Sequence, residues 1–165
     1  VILAVAKPLG DVESVTAAIA AALRSADFAQ LLANVDAAEN TGDDTPAPKV
    51  VYAYERAQLE KFPAAEVIAL NTAFNPQADE AAGAHRILVD WTQIGDSEAR
   101  ITREVQRLVL ATRLFFRRSV LQGDYALAPM TIEFEDYSRI EPLQNAPQPF
   151  LKGGRVVLVA ETWSL

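Results

Sequence analysis

The sequence predicts an α/β domain of the α+β type, a mainly antiparallel or mixed β-sheet flanked by two main helices. Three observations carry this. Two segments, one near the start and one past the middle, repeat apolar residues at helical spacing. Several short stretches alternate apolar and polar residues, as strands with one buried face do. Successive strands also follow one another without the long crossovers that parallel neighbours need. With 165 residues, 50% apolar and 22% charged, the chain suits a single domain over 1–165. A chain of this size buries roughly 70% of its unfolded surface, enough for a core without staples. No internal repeat or domain boundary is evident.

The elements follow in order. Val1 to Ala6 is apolar but lacks the basic flank of a signal segment, and reads as a first strand or an extended arm. No initiator Met precedes it, which reads as processing or renumbering. Asp11 to about Val35 is helical: Val12, Val15, Ile19 and Leu23 form a stripe, and Asp11 is placed to cap it. Phe28, Leu31 and Leu32 fall out of register with that stripe, which predicts a break near Ser25 to Asp27 and a second short helix. Asp36 to Pro48 contains almost no bulky apolar group and predicts a projecting loop.

Lys49 to Tyr54 and Ala65 to Phe74 predict strands on either side of a Phe62-Pro63 turn, and Asn75 to Ala84 a polar loop. In His85 to Ile94 the residues His85, Ile87, Val89 and Trp91 share one face. Asp96 or Ser97 caps the second main helix, whose buried stripe is Ile101, Val105, Leu108, Thr112 and Phe115, widened by Val109 and Phe116; Gly123 ends it. Met130 to Phe134 alternates with Met130, Ile132 and Phe134 inward. After a proline-containing stretch, Gly153-Gly154 reads as a turn before a last strand, Arg155 to Trp163.

Chemistry finds little to work with. The absence of cysteine removes disulfides, thiolate metal sites and cysteine nucleophiles. His85 is the single histidine, on an apolar strand face, which favours a structural role. The serines lack a nucleophile elbow, and no phosphate-binding glycine motif is present. Glu133 and Glu135 fall on one face of an alternating strand about 7 Å apart, but read more simply as a solvated surface. Asp43 and Asp44 lack the ligand spacing of a calcium loop. No catalytic, cofactor-binding or metal-binding residue is assigned, no cofactor is expected, and the chain is not expected to be an enzyme. No apolar stretch is long enough for a transmembrane helix, so no membrane partner is expected.

The net charge of −7 is unevenly spread: residues 98–121 carry six basic and two acidic groups, while the other segments are acidic. Arg100, Arg103, Arg107, Arg113 and Arg117 therefore form a candidate interface, with the acidic loop at Asp43 and Asp44 as its complement. A solvated helix face and a nucleic-acid surface are the competing readings of the same arginines.

The leading helix, the Phe62-Pro63 turn, the long strand HRILVDW, the basic helix opened by Gly95-Asp96, the strand reaching Asp136-Tyr137-Ser138 and the closing VVLVAETW together resemble the tail terminator proteins of long-tailed bacteriophages. The resemblance spans roughly Asp11 to Trp163 and rests on element order, with no diagnostic motif. It implies a homohexameric ring that caps the tail tube, stops its polymerisation and meets the head connector. The implied partners are further copies of the chain, the tail tube protein and a head-completion protein, with genome DNA passing through the channel without specific binding. The implied location is the tail or neck of a virion assembled in the host cytoplasm. In this setting the 36–48 loop would reach a neighbouring subunit or the tube. A head-completion or neck adaptor, or a small α/β binding module outside a virion, is the alternative.

Overall fold

The structure, a computed structural model, describes residues 12–74, 83–118, 130–144 and 147–162. The Asp11 cap, Gly123, most of the 75–84 loop and the first residues of the chain lie outside these. Within them the fold is α+β. Helices α1 (Val12–Leu23), α2 (Ala26–Glu39) and α3 (Glu98–Arg118) pack on one face of a sheet. Its strands are β1 (Val50–Tyr52), β2 (Ala64–Phe74), β3 (Gly83–Gly95), β4 (Thr131–Tyr137), β5 (Glu141–Pro142) and β6 (Phe150–Thr162).

The break in the first helical segment falls where the stripe changes register. Ser25 Oγ accepts the Phe28 N–H at 3.2 Å and so caps α2. Asn40, left-handed at φ 49°, ends it. α2 runs further than the sequence suggests, so Asp36 is helical and buried.

The sheet order is β1-β2-β3-β6-β4, with β5 also on β6. β1 pairs parallel with β2, and every other pairing is antiparallel. On the helix-covered face His85, Ile87, Val89, Trp91 and Gln93 of β3 lie beside Ala160, Leu158, Val156, Gly154 and Lys152 of β6. α3 lays Ile101, Val105, Leu108, Val109, Thr112 and Phe116 on this surface, all buried. Ser97 Oγ receives the Arg100 N–H at 3.3 Å, which makes Ser97 the capping residue. The indole N–H of Trp91 donates to Thr112 Oγ1 at 2.9 Å, satisfying the polar atom of the largest core side chain. His85 is buried with Nδ1 2.7 Å from Thr72 Oγ1.

Two sequence expectations are corrected here. Gly153 and Gly154 do not form a turn; they lie inside β6. A Cβ on Gly154 would sit 2.6 Å from Val105 Cγ1 and 2.8 Å from Val109 Cγ2, so the missing side chain lets α3 press against the sheet. In β4 the pairing with β6 shifts between Ile132 and Phe134. This bulge reverses the alternation, because one extra residue flips all that follow it to the other face. Phe134 therefore points away from the helices and is 44% exposed. Glu133 and Glu135 part company as well: Glu133 meets Arg86 and Glu135 meets Arg113 of α3.

Candidate assembly surfaces

The arginines proposed for an interface sit along α3, and most are occupied within the chain. Arg107 is buried, its side chain 6% exposed beside an Asp36 side chain at 8%. Its guanidinium donates to Asp36 Oδ1 at 2.8 Å, to Thr41 Oγ1 at 2.7 Å and to the Asp43 carbonyl at 3.2 Å. Asp36 also accepts the Thr45 N–H at 2.7 Å and the Thr45 hydroxyl at 2.6 Å. Arg103 reaches Asp43 Oδ2 at 2.7 Å, and Arg100 lies between Asp96 at 3.0 Å and Glu104 at 3.6 Å. Arg113 meets Glu135 at 3.2 Å. Arg117 and Asp44 are exposed.

These contacts bind the 41–45 segment to α3 and bury Thr45, so that part of the 36–48 stretch lies against the domain. Arg107 is a fastening inside the subunit and has no surface to offer a partner. The arginine helix is thus less positive to an approaching molecule than its sequence implies. The groove beside it, about 590 Å³, is lined by Arg100, Arg103 and Arg107 but also by Asp43, Asp44, Glu60 and Glu104.

The face of the sheet away from the helices shows an order that the sequence conceals. Cross-strand pairing stacks it in rows. Ile68, Leu88, Val157 and Phe134 form an apolar row across β2, β3, β6 and β4. Beside it Glu66, Asp90, Arg155 and Asp136 form a charged row with three carboxylates and one guanidinium. On the other flank Arg86 holds Glu133 by two 2.7 Å hydrogen bonds, and this keeps the Glu133 carboxyl below the usual range. In the charged row burial pushes the Asp90 carboxyl up to about 6; Arg155 opposes the rise, while Glu66, Asp136 and Glu55 add to it. Glu66 in turn accepts the Arg56 N–H at 2.7 Å, tying down the chain after β1.

The two edges of the sheet differ. β1 is three residues long, and the Arg24 guanidinium at the end of α1 donates to the Val51 carbonyl. Such an edge offers a second strand little. β4 is seven residues long, exposed at all positions but Ile132, and is the last strand on the other side among the described residues. Phe134 and Tyr137, the latter 40% exposed, stand on it. The Ser138 N–H bonds the Gly153 carbonyl at 3.0 Å. By strand alternation, Phe134 and Asp136 then direct their backbone groups at β6, and Glu135 and Tyr137 direct theirs outward. Sequence periodicity alone could not find this edge, because strand order is set by pairings between distant segments.

No family model matches the chain, and no curated protein matches it in sequence. Among solved structures, it is similar to a chain from the virion of the native gene transfer agent (GTA) particle. That likeness has a TM-score of 0.43 and 10% identity, and covers 79% of this chain and 84% of the other.

Proposed function

We propose that the chain is a non-enzymatic structural subunit of a virion: a tail terminator that forms a ring on the end of the tail tube, stops its growth and meets the head connector. The observation that carries the reading is the unequal sheet. One edge is short and sealed by Arg24, while the other, β4, has no further strand beside it among the described residues and carries exposed aromatic side chains. Soluble proteins ordinarily blunt or cover such an edge, and a subunit that joins different patches head to tail uses one. The resemblance in element order supplies the kind of assembly.

The charged groups support the same reading in a different way from the arginine stripe. Arg100, Arg103, Arg107 and Arg113 stiffen the domain through partners in the same chain, which leaves recognition to the β4 edge and the outer face. Exposed acidic groups such as Asp136 on the outer face would repel a passing DNA backbone wherever they line a channel.

Mass photometry of the purified chain, alone and with tail tubes, tests the proposal. The expected result is a closed ring of several copies, with tubes capped at one end in electron micrographs. Purified chain that stays monomeric and leaves tube growth unaltered would refute it.

A further inference from the structure

The groove beside α3 holds more hydrogen-bond acceptors than its own chain satisfies. We propose that Arg139 of one copy enters this groove in the next copy and pairs there with Asp44 and Glu60. The inference rests on the ring-forming reading above and names one side-chain contact that would hold neighbouring copies together.

The charged donors of the groove are spent. Arg100, Arg103 and Arg107 each face a carboxylate of the same chain, and the Gln93 amide donates to Glu104 at 2.7 Å. What is left over accepts. Asp44 and Glu60 line the groove, are exposed, and make no ion pair among the described residues. Gln148 lines it too, and its side-chain oxygen is buried without a hydrogen-bond partner among the described residues. Such an atom costs free energy until a donor reaches it. A guanidinium brings five N–H donors and one positive charge. Phe62 and Ile94 give the groove an apolar wall on which an arginine stem can lie.

Arg139 is placed to supply that group. It is exposed and makes no ion pair among the described residues. The residue before it is fixed. Ser138 donates its N–H to the Gly153 carbonyl at 3.0 Å, its hydroxyl accepts the Gly153 N–H at 2.7 Å, and its carbonyl accepts Lys152 Nζ at 2.6 Å. A side chain carried on a rigid backbone loses less freedom on binding. Position agrees with charge. Copies in a closed ring are related by rotation alone, so both halves of a head-to-tail contact lie at one height along the ring axis. Ser138 adjoins Gly153, which pairs with Thr92, and the next residues, Gln93 and Ile94, wall the groove. Both patches therefore sit at the same end of the sheet. They lie on opposite flanks: Arg139 follows β4, while Asp44 and Glu60 lead into β1 and β2. β4 is about 14 Å from β2 at three strand spacings. Within one copy α3, packed over β3, β6 and β4, stands between them. A ring axis running along the strands brings Arg139 of one copy to the groove of the next. Arg117 is also exposed, but lies about 21 Å along α3 from Arg103, away from the level of the groove.

Charge exchange tests the contact. Arg139→Glu sets a carboxylate against the acidic groove, and Asp44→Lys with Glu60→Lys sets ammonium groups against Arg139. In mass photometry each variant should lower the particle mass from that of the ring to the 18.0 kDa of one chain. Mixing the two variants, or joining all three changes in one chain, should restore particles of several copies. Circular dichroism melts check that each chain is folded, as expected for exposed side chains that pair with nothing in their own subunit. Rings that survive both reversals would overturn this contact and leave the ring reading standing. Loss of the ring with no rescue would overturn the pairing of these residues, and rescue in the combined variant alone would place the pair inside one copy. A wild-type chain that forms no ring overturns the ring reading, and this contact falls with it.

Discussion

Replacing Arg107 by Met separates a fastening inside the subunit from an interface residue. The guanidinium makes three hydrogen bonds, to Asp36, Thr41 and the Asp43 carbonyl, in a site where both charged side chains are more than nine-tenths buried. Met fills much of the volume but leaves Asp36 with only the two Thr45 donors. Removing one partner of a buried pair costs about 3–5 kcal/mol, because the remaining charge is left in a poor solvent. For a chain of this length that lowers Tm by about 6–20 °C, at about 2–4 °C per kcal/mol. The assay is urea unfolding at a concentration where wild type and variant share one oligomeric state. Arg113→Ala removes the same charge from the same helix at an exposed pair and should cost about 0–1 kcal/mol. An Arg107→Met loss no larger than that of Arg113→Ala would refute the reasoning and return Arg107 to the interface.

Three further outcomes follow from the core and the outer face. Asp90 has its carboxyl raised from 3.8 to about 6, so the folded chain binds more protons there than the unfolded chain between those values. Its contribution to stability is therefore lost as pH rises through about 6, and Asp90→Asn should raise the urea midpoint at pH 8 while changing it little at pH 4. Thr112→Val leaves the buried Trp91 N–H without its acceptor and should cost about 1–3 kcal/mol by urea unfolding. Gly154→Ala drives a methyl into Val105 and Val109; a loss of about 1–3 kcal/mol is expected, with partial recovery on adding Val105→Ala.

Much of the fold was legible because its signals are local. The stripe of α3 repeats at helical spacing, the change of register at Ser25 marks a helix break, and the alternation from His85 to Trp91 marks a half-buried strand. What escaped depends on pairing between distant segments. The bulge at Glu133 adds one residue relative to β6, and no periodicity in β4 alone reports it. Gly153-Gly154 has the composition of a turn, yet its meaning comes from α3 pressing on the sheet. The arginines of α3 looked surplus because Asp36, Asp43 and Glu135, which meet them, lie far away in sequence. The candidate surface was found in part: Arg103 and Asp43 do meet, but within one copy. The β4 edge depends on strand order and carried no sequence signal beyond Phe134 and Tyr137 themselves.

The most direct test of the account is the mass of the purified chain in solution, measured across a dilution series for wild type and Glu135→Pro together. Wild type should hold a discrete multiple of 18.0 kDa that Glu135→Pro reduces to one chain. Two proteins with the same mass throughout, whether both single chains or both rings, would contradict the claim that the β4 edge drives assembly.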